Sequence, residues 1–192
     1  MMQMRTYHEE QGFNKLSFAS AEVQGTEFNL CRFEDCDFSD CAFHETIFTD
    51  CEFSNCNFTS VDLADCALKN VRFADCKMLG LDFTGCRDFL FKTNFDNCRL
   101  DYSVLSGKDL RKTSFKGCSL LQADFTDCNL SAAVFTSARL DGAVFVACNL
   151  EKADFRSALG YEIDPDKNRL KNARFSADGL GGLLTKYEIK ID

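Results

Sequence analysis

The sequence predicts an all-β fold in which the chain winds into a parallel solenoid. Three observations carry this, all visible in residues 31–58, CRFEDCDFSDCAFHETIFTDCEFSNCNF. Phe recurs at every fifth residue, a Cys or Thr precedes each by two, and mainly Asp, Glu, Ser and Asn lie between. A period of five matches neither a plain strand nor a helix. In an extended segment, side chains two apart share a face, so the small residue and the Phe both point inward. The next two positions must then turn the chain. The second of them reads Asp35, Asp40, Glu45, Asp50 and Asn55, mostly residues that tolerate turn geometry and bond their own backbone. Each unit is one side of a coil. No unit can bury its own ring, so coils must stack, roughly 4.8 Å apart.

Taken in order, residues 1–15 miss the ladder and are expected to form an N-terminal cap or lead-in strand. The central positions then run from Phe18 through Phe83 and resume from Phe95 to Phe155; of 27, 16 are Phe and nine are Leu. Twelve residues separate Phe83 from Phe95 where ten would keep phase, so about 86–92 holds a two-residue insertion, with Phe89 and Phe91 inside it. A bulge or short loop is expected there. Lys108 is the misfit of the inward small-residue column. An ammonium in that slot must bend outward or find a carboxylate, and a local distortion after Gly107 is the expectation. The pattern fails at Gly160 and Pro165 and returns at Leu170 and Phe175, which predicts an irregular coil at about 159–167. Residues 16–177 thus form one solenoid. In the tail, 178–192, Leu180, Leu183 and Leu184 suit one face of a short helix, and YEIKID alternates like a strand. This end is expected to cap the solenoid, and to form a dimer interface through Leu180, Leu183, Leu184, Tyr187, Ile189 and Ile191.

The bulk properties narrow the functional classes. The 192 residues carry a formal charge of −8. Residues 1–85 hold fifteen acids and six Lys/Arg, while 86–192 hold fifteen acids and sixteen Lys/Arg. The most regular part of the chain is acidic, where a nucleic-acid binder needs a basic stripe, so direct nucleic-acid binding is not expected. No run reaches the ~18 apolar residues of a membrane span, and the first residues lack a signal-peptide core. The expectation is a cytoplasmic chain without membrane contact. All twelve Cys fall two places before a central position or its equivalent in the insertion, none forms Cys-x-x-Cys, and elsewhere the slot holds Ala, Thr, Val or Ser. They are read as small core residues in free thiol form, not as metal ligands. His8 and His44 belong to no catalytic constellation and are read as solvated surface residues. Neither a cofactor nor a catalytic site is expected.

Units such as ADFTD (123–127) and ADFRS (153–157) resemble the pentapeptide repeat proteins, whose consensus is A-(D/N)-L/F-x-x. The resemblance covers about residues 16–177. It implies a right-handed quadrilateral β-helix with four units per coil, about eight coils and a rod of roughly 40 Å. The Phe-rich centre, acidic balance, length and tail further resemble the subgroup that protects DNA gyrase and topoisomerase IV, acidic dimeric rods that mimic duplex DNA. The chain departs from the plasmid quinolone-resistance members in lacking long projecting loops.

With four units per coil, one face gathers the units centred on Val23, Phe43, Leu63, Phe83, Leu105, Phe125 and Phe145. It carries Glu22, Glu45, Asp62, Asp65, Asp82, Asp124 and Asp127, with no Lys or Arg. These acids are the candidate partner-binding residues, since phosphate mimicry requires such a face. The next face collects Lys69, Arg87, Lys92, Lys108, Arg111, Lys112 and Lys152. Leu79, Tyr102 and Leu121 line up outward elsewhere. The expected function is a DNA-mimicking, protein-binding rod acting on gyrase or topoisomerase IV. The alternative is a general interaction scaffold for an unrelated protein.

Overall fold

The computed structural model describes residues 6–190. Its strands are β1 (Tyr7–Glu9), β2 (Gly12–Asn14), β3 (Glu27–Asn29), β4 (Arg32–Glu34), β5 (Ile47–Thr49), β6 (Glu52–Ser54), β7 (Ala67–Lys69), β8 (Val71–Ala74), β9 (Thr93–Asp96) and β10 (Phe115–Lys116). They form two all-parallel sheets, β1-β3-β5-β7 and β2-β4-β6-β8-β9-β10. Each strand pairs with its equivalent one coil on, as in Phe33↔Phe53 and Phe53↔Phe73. Where three-residue strands are not kept, single parallel bridges such as Asp124↔Val144 hold the same register. The chain is a four-sided β-solenoid.

Stacking of like on like builds the core. Along the second sheet and beyond it, Phe13, Phe33, Phe53, Phe73, Phe95, Phe115, Phe135, Phe155 and Phe175 form one column with neighbouring ring centroids 4.6–5.4 Å apart. Rings in adjacent columns meet edge to face, as Phe53 does with Phe58 at 5.3 Å. Both geometries suit the aromatic quadrupole. An interior void bounded by Phe43, Phe58, Leu63, Met78 and Phe83 measures about 10 Å³, at or below the space one water needs.

The corners behave as the Asp/Asn pattern predicts. Asp35, Asp40, Glu45, Asp50 and Asn55 all take the left-handed conformation, with φ between 51° and 59°. That region is costly for most L-residues and least so for Gly, Asn and Asp.

The winding starts earlier than expected. Of residues 1–15, expected as a cap or lead-in strand, 7–14 take the strand alternative: β1 and β2 pair in register with β3 and β4, and residues 1–5 lie outside the described residues. His8 therefore occupies a central position, its ring stacked on Phe28 at 5.1 Å and edge-on to Phe13 at 5.6 Å. It closes the end of a Phe column and is half-buried, whereas His44 is exposed. A one-turn helix, α1 (Ser20–Val23), turns inward only Val23.

At the other end, Leu159 still bridges Arg139, and residues 160–168 carry no bridge, with Tyr161 and Ile163 buried in the core. The tail forms two 3-10 turns, Leu180–Leu183 and Thr185–Tyr187. The strand expected from YEIKID does not form through residue 190, because Glu188 turns left-handed at φ 51°. Ile163 N–H donates to Gly182 O at 2.9 Å, and Leu183 packs on the core. No helix among the described residues is long and apolar enough to cross a membrane.

The twelve Cys are free and buried. Their slot also gives the thiol an acceptor: Cys51 donates to Phe28 O at 3.4 Å, Cys128 to Leu105 O at 3.0 Å and Cys148 to Phe125 O at 2.9 Å. Thr46 does the same, to Val23 O at 2.9 Å. Cys is thus a small core residue that also supplies a weak donor.

Two outcomes follow from this core. Phe53→Ala removes a ring stacked on both sides and should cost about 3–5 kcal/mol, measured by chemical denaturation; a loss near zero would mean the column is not packed. Burial pushes Cys51 and Cys128 up to about 12 and Cys148 to about 11, from an ordinary 9.0. A folded pKa above the unfolded one gives stability that is present below the unfolded value and lost as pH rises through the folded one. The denaturation midpoint should therefore fall from about pH 9 towards pH 12. At neutral pH none of the twelve thiols should react with a thiol reagent until the chain unfolds.

Candidate docking face

The acidic face is built from two rows. Positions just before each central residue stack as Ala42, Asp62, Asp82, Val104, Asp124 and Val144, linked by bridges such as Ala42↔Asp62 and Asp82↔Val104. The corner row holds Glu45, Asp65 and Asp127, all left-handed. Glu22 lies apart on α1, where its carboxylate accepts Ala19 N–H at 2.7 Å.

Several of these acids also fold the chain. Asp62 Oδ1 accepts Ala64 N–H at 2.9 Å, Asp82 Oδ1 accepts Thr84 N–H at 2.8 Å, and Asp124 Oδ1 accepts Thr126 N–H at 2.8 Å. Burial alone would raise Asp124, but hydrogen bonds from Thr126 and Ser106 outweigh it and leave its carboxyl below the ordinary range. In each case one carboxylate oxygen closes a local turn, which keeps the side chain aligned along its row.

The face is less continuous than the sequence suggests. Glu45, Asp62, Asp65 and Asp82 are exposed on three successive coils. The unit of this face on the next coil, SVLSG at 103–107, is uncharged, and Asp124 and Asp127 follow it. Beyond them Val144 and Val146 are exposed. The quartet also has a cation at its edge: Arg87 from the neighbouring unit grips Asp65 with both ends, Nε to Oδ1 at 2.7 Å and Nη2 to Oδ2 at 2.9 Å. Asp65 in turn holds the Arg87 guanidinium above its ordinary pKa.

The neighbouring face divides differently from expectation. Arg111 is paired with Asp109. Lys69, Lys92, Lys112 and Lys152 make no ion pair among the described residues. Lys108 neither bends outward nor distorts its coil. It stays in the core slot, donates to Cys86 O at 2.7 Å and Asp88 Oδ1 at 2.6 Å, and lies 5.4 Å from the centre of the Phe91 ring. The misfit lysine and the insertion are one feature, since both lie on this face in successive coils. Their common face was the sequence signal that could have joined them.

Of the outward apolar trio, Tyr102 is exposed while Leu79 and Leu121 are half-buried. Between the two Leu lies a buried carboxylate missed from sequence, Asp101, which accepts Ser119 Oγ–H and Leu121 N–H. At the C-terminal end Leu180, Tyr187 and Ile189 are exposed, Leu183 and Leu184 are half-buried, and Ile191 lies outside the described residues. Lys186 ties this tail to Asp164 at 2.7 Å and to Asp166.

Comparison with known proteins follows the coil geometry. The profile described as Pentapeptide repeat region matches residues 46–120 and 108–183, and that described as Pentapeptide repeats (8 copies) matches residues 13–50. Among curated proteins no match is found. The solved structure of full-length QnrB1, a plasmid-mediated fluoroquinolone resistance protein, is similar at a TM-score of 0.52 and 20% identity, covering 95% of this chain and 100% of that one. A trypsin-treated form of a QnrB1 variant gives 0.50 and 20%, over 97% and 100%. HetL from the cyanobacterium Nostoc sp. strain PCC 7120, involved in heterocyst differentiation regulation, gives 0.41 and 16%, over 88% and 87%. At these identities the structural likeness speaks for the fold alone. The repeat profiles span most of the chain, and the chain belongs to the pentapeptide repeat family.

Proposed function

We propose that this chain is a non-enzymatic, protein-binding rod whose acidic face engages the basic DNA-binding surface of a type II topoisomerase, DNA gyrase or topoisomerase IV, and modulates its inhibition. The observation that supports this reading is the quartet Glu45, Asp62, Asp65 and Asp82, exposed on three stacked coils whose own units hold no Lys or Arg. Duplex DNA presents about one charge per 1.7 Å of axis, far more than four acids over three coils spaced by roughly 4.8 Å. Mimicry is therefore partial, with shape and a few placed carboxylates outweighing total charge. Attraction of this kind weakens as salt screens exposed charges. The filled interior favours surface binding over catalysis, which needs a concave site with convergent polar groups.

A second copy is the natural cover for the C-terminal end. Leu180, Tyr187 and Ile189 are exposed beside the last coil, and an end-to-end dimer about a two-fold axis would bury them. The scaffold alternative draws on Tyr102, Val144 and Val146, exposed apolar residues outside the quartet.

Changing Glu45 to Gln and Asp62, Asp65 and Asp82 to Asn keeps a turn-closing oxygen at Asp62 and Asp82, so the fold should survive. Each exposed charge contributes little singly; the four together should abolish any effect on supercoiling and on ciprofloxacin-induced cleavage by purified gyrase. If the unchanged protein leaves both activities untouched across a full titration, the scaffold reading replaces this one. For the dimer, sedimentation at micromolar concentration should show two copies for the whole chain and a monomer or aggregate after deletion of residues 179–192. A full-length monomer would make the tail a cap only.

A further inference from the structure

The extra length of the insertion is gathered into a tight tip. Arg87 N–H bonds Cys66 O at 2.8 Å and Lys92 N–H bonds Leu68 O at 3.0 Å. Both ends are thus fixed to the coil below, and residues 88–91 must arch between them. Phe91 N–H returns to Asp88 O at 3.1 Å, closing a four-residue turn with Phe89 and Leu90 at its apex. Leu90 has φ 60°, a position where such a turn favours Gly or Asn. Phe89 is 75% exposed and Leu90 61%. Turn chemistry therefore accounts for neither residue.

The tip is also held from beneath. Lys108, 3% exposed, rises from the following coil to Cys86 O and Asp88. Phe91 folds inward and is buried, with Lys108 Nζ near its ring. A buried ammonium is tolerated only when so paired, and breaking such a pair is costly. The apolar apex is consequently fixed outward and cannot collapse onto the coil.

We propose that Phe89 and Leu90 form a docking knob, set in place by Lys108, that fits an apolar pocket bordered by basic side chains on a protein partner. Of the charges at the knob's base, Arg87 is paired with Asp65 and Lys108 with Asp88, while Lys92 is exposed at its C-terminal foot. The acidic quartet flanks it: Asp82 lies in the preceding unit of the chain, and Asp65 pairs with Arg87 at the knob's base. That calls for a basic rim on the partner. Lys108 is a positioning residue; the two apex side chains are the contact. This inference rests on the proposed function, whose partner surface is basic.

The test uses full-length proteins and purified gyrase holoenzyme, with binding read by biolayer interferometry at several salt concentrations. The variants are Phe89→Ser with Leu90→Gly, Lys108→Met, and the acid quartet variant. The knob variant should melt at or above the wild-type temperature, since Gly suits the left-handed apex, yet bind at least tenfold more weakly through faster dissociation while retaining salt dependence. The quartet variant should lose the salt dependence. Lys108→Met should stay folded, because it takes a buried charge out of the core slot and leaves Asp88, 84% exposed, in water. It should also speed amide exchange at residues 88–91 and weaken binding towards the level of the knob variant. Wild-type affinity in the knob variant overturns the knob and leaves the acidic face standing. Unchanged exchange in Lys108→Met overturns the positioning role. Wild-type protein that does not bind gyrase at all overturns both readings.

Discussion

Everything in this rod depends on in-register stacking, which places each side chain above its equivalent one coil away. The same constraint that gathers Phe into columns would also pile like charges about one strand spacing apart. The chain answers by alternating acid with amide: Asn55 donates to Asp35 at 2.6 Å, Asn57 to Asp37 at 2.9 Å and Asn70 to Asp50 at 2.5 Å. On another row it alternates sign: Arg32 lies over Glu52, 3.5 Å apart, and Arg72 follows in register, reaching diagonally to Asp96 at 3.6 Å. The acidic quartet stands out against that habit. Glu45 and Asp65 follow one another on the corner row and Asp62 and Asp82 on the row beside it, with no amide between them in either row.

Much of the fold is legible because the repeat states the same contact many times. Phe33 alone means little; Phe33, Phe53 and Phe73 at one spacing demand a column. The ends escape for the converse reason. His8 sits in a central position, but an imidazole does not look like a core residue until Phe28 is known to lie against it. The tail likewise lacks repetition, so its alternation suggested a strand where a left-handed Glu188 ends the regular backbone.

The candidate face is only half legible. Sorting residues by side identifies which acids share a surface, but it does not reveal that Asp62 and Asp82 spend one oxygen each on their own turns. Nor does it show that Arg87 crosses from the neighbouring side to Asp65. Lys108 shows the limit most clearly. Read within its own unit it is an error in a column of small residues. Its partners, Cys86 and Asp88, lie about one coil earlier on the same side, a relation that appears only when units are compared coil by coil.

The stacked Phe column also has a mechanical meaning. Each coil touches only its neighbours, so tension applied between the two ends loads every interface in series. Coils should then peel from an end one at a time, each releasing about 20 residues, or roughly 70 Å of extended chain. Such a rod is stiff until one interface yields, and thereafter it lengthens in equal steps. The unequal step belongs to the coil that Lys108 ties across the insertion, where the buried lysine must part from Cys86 O and Asp88 along with the stacked rings.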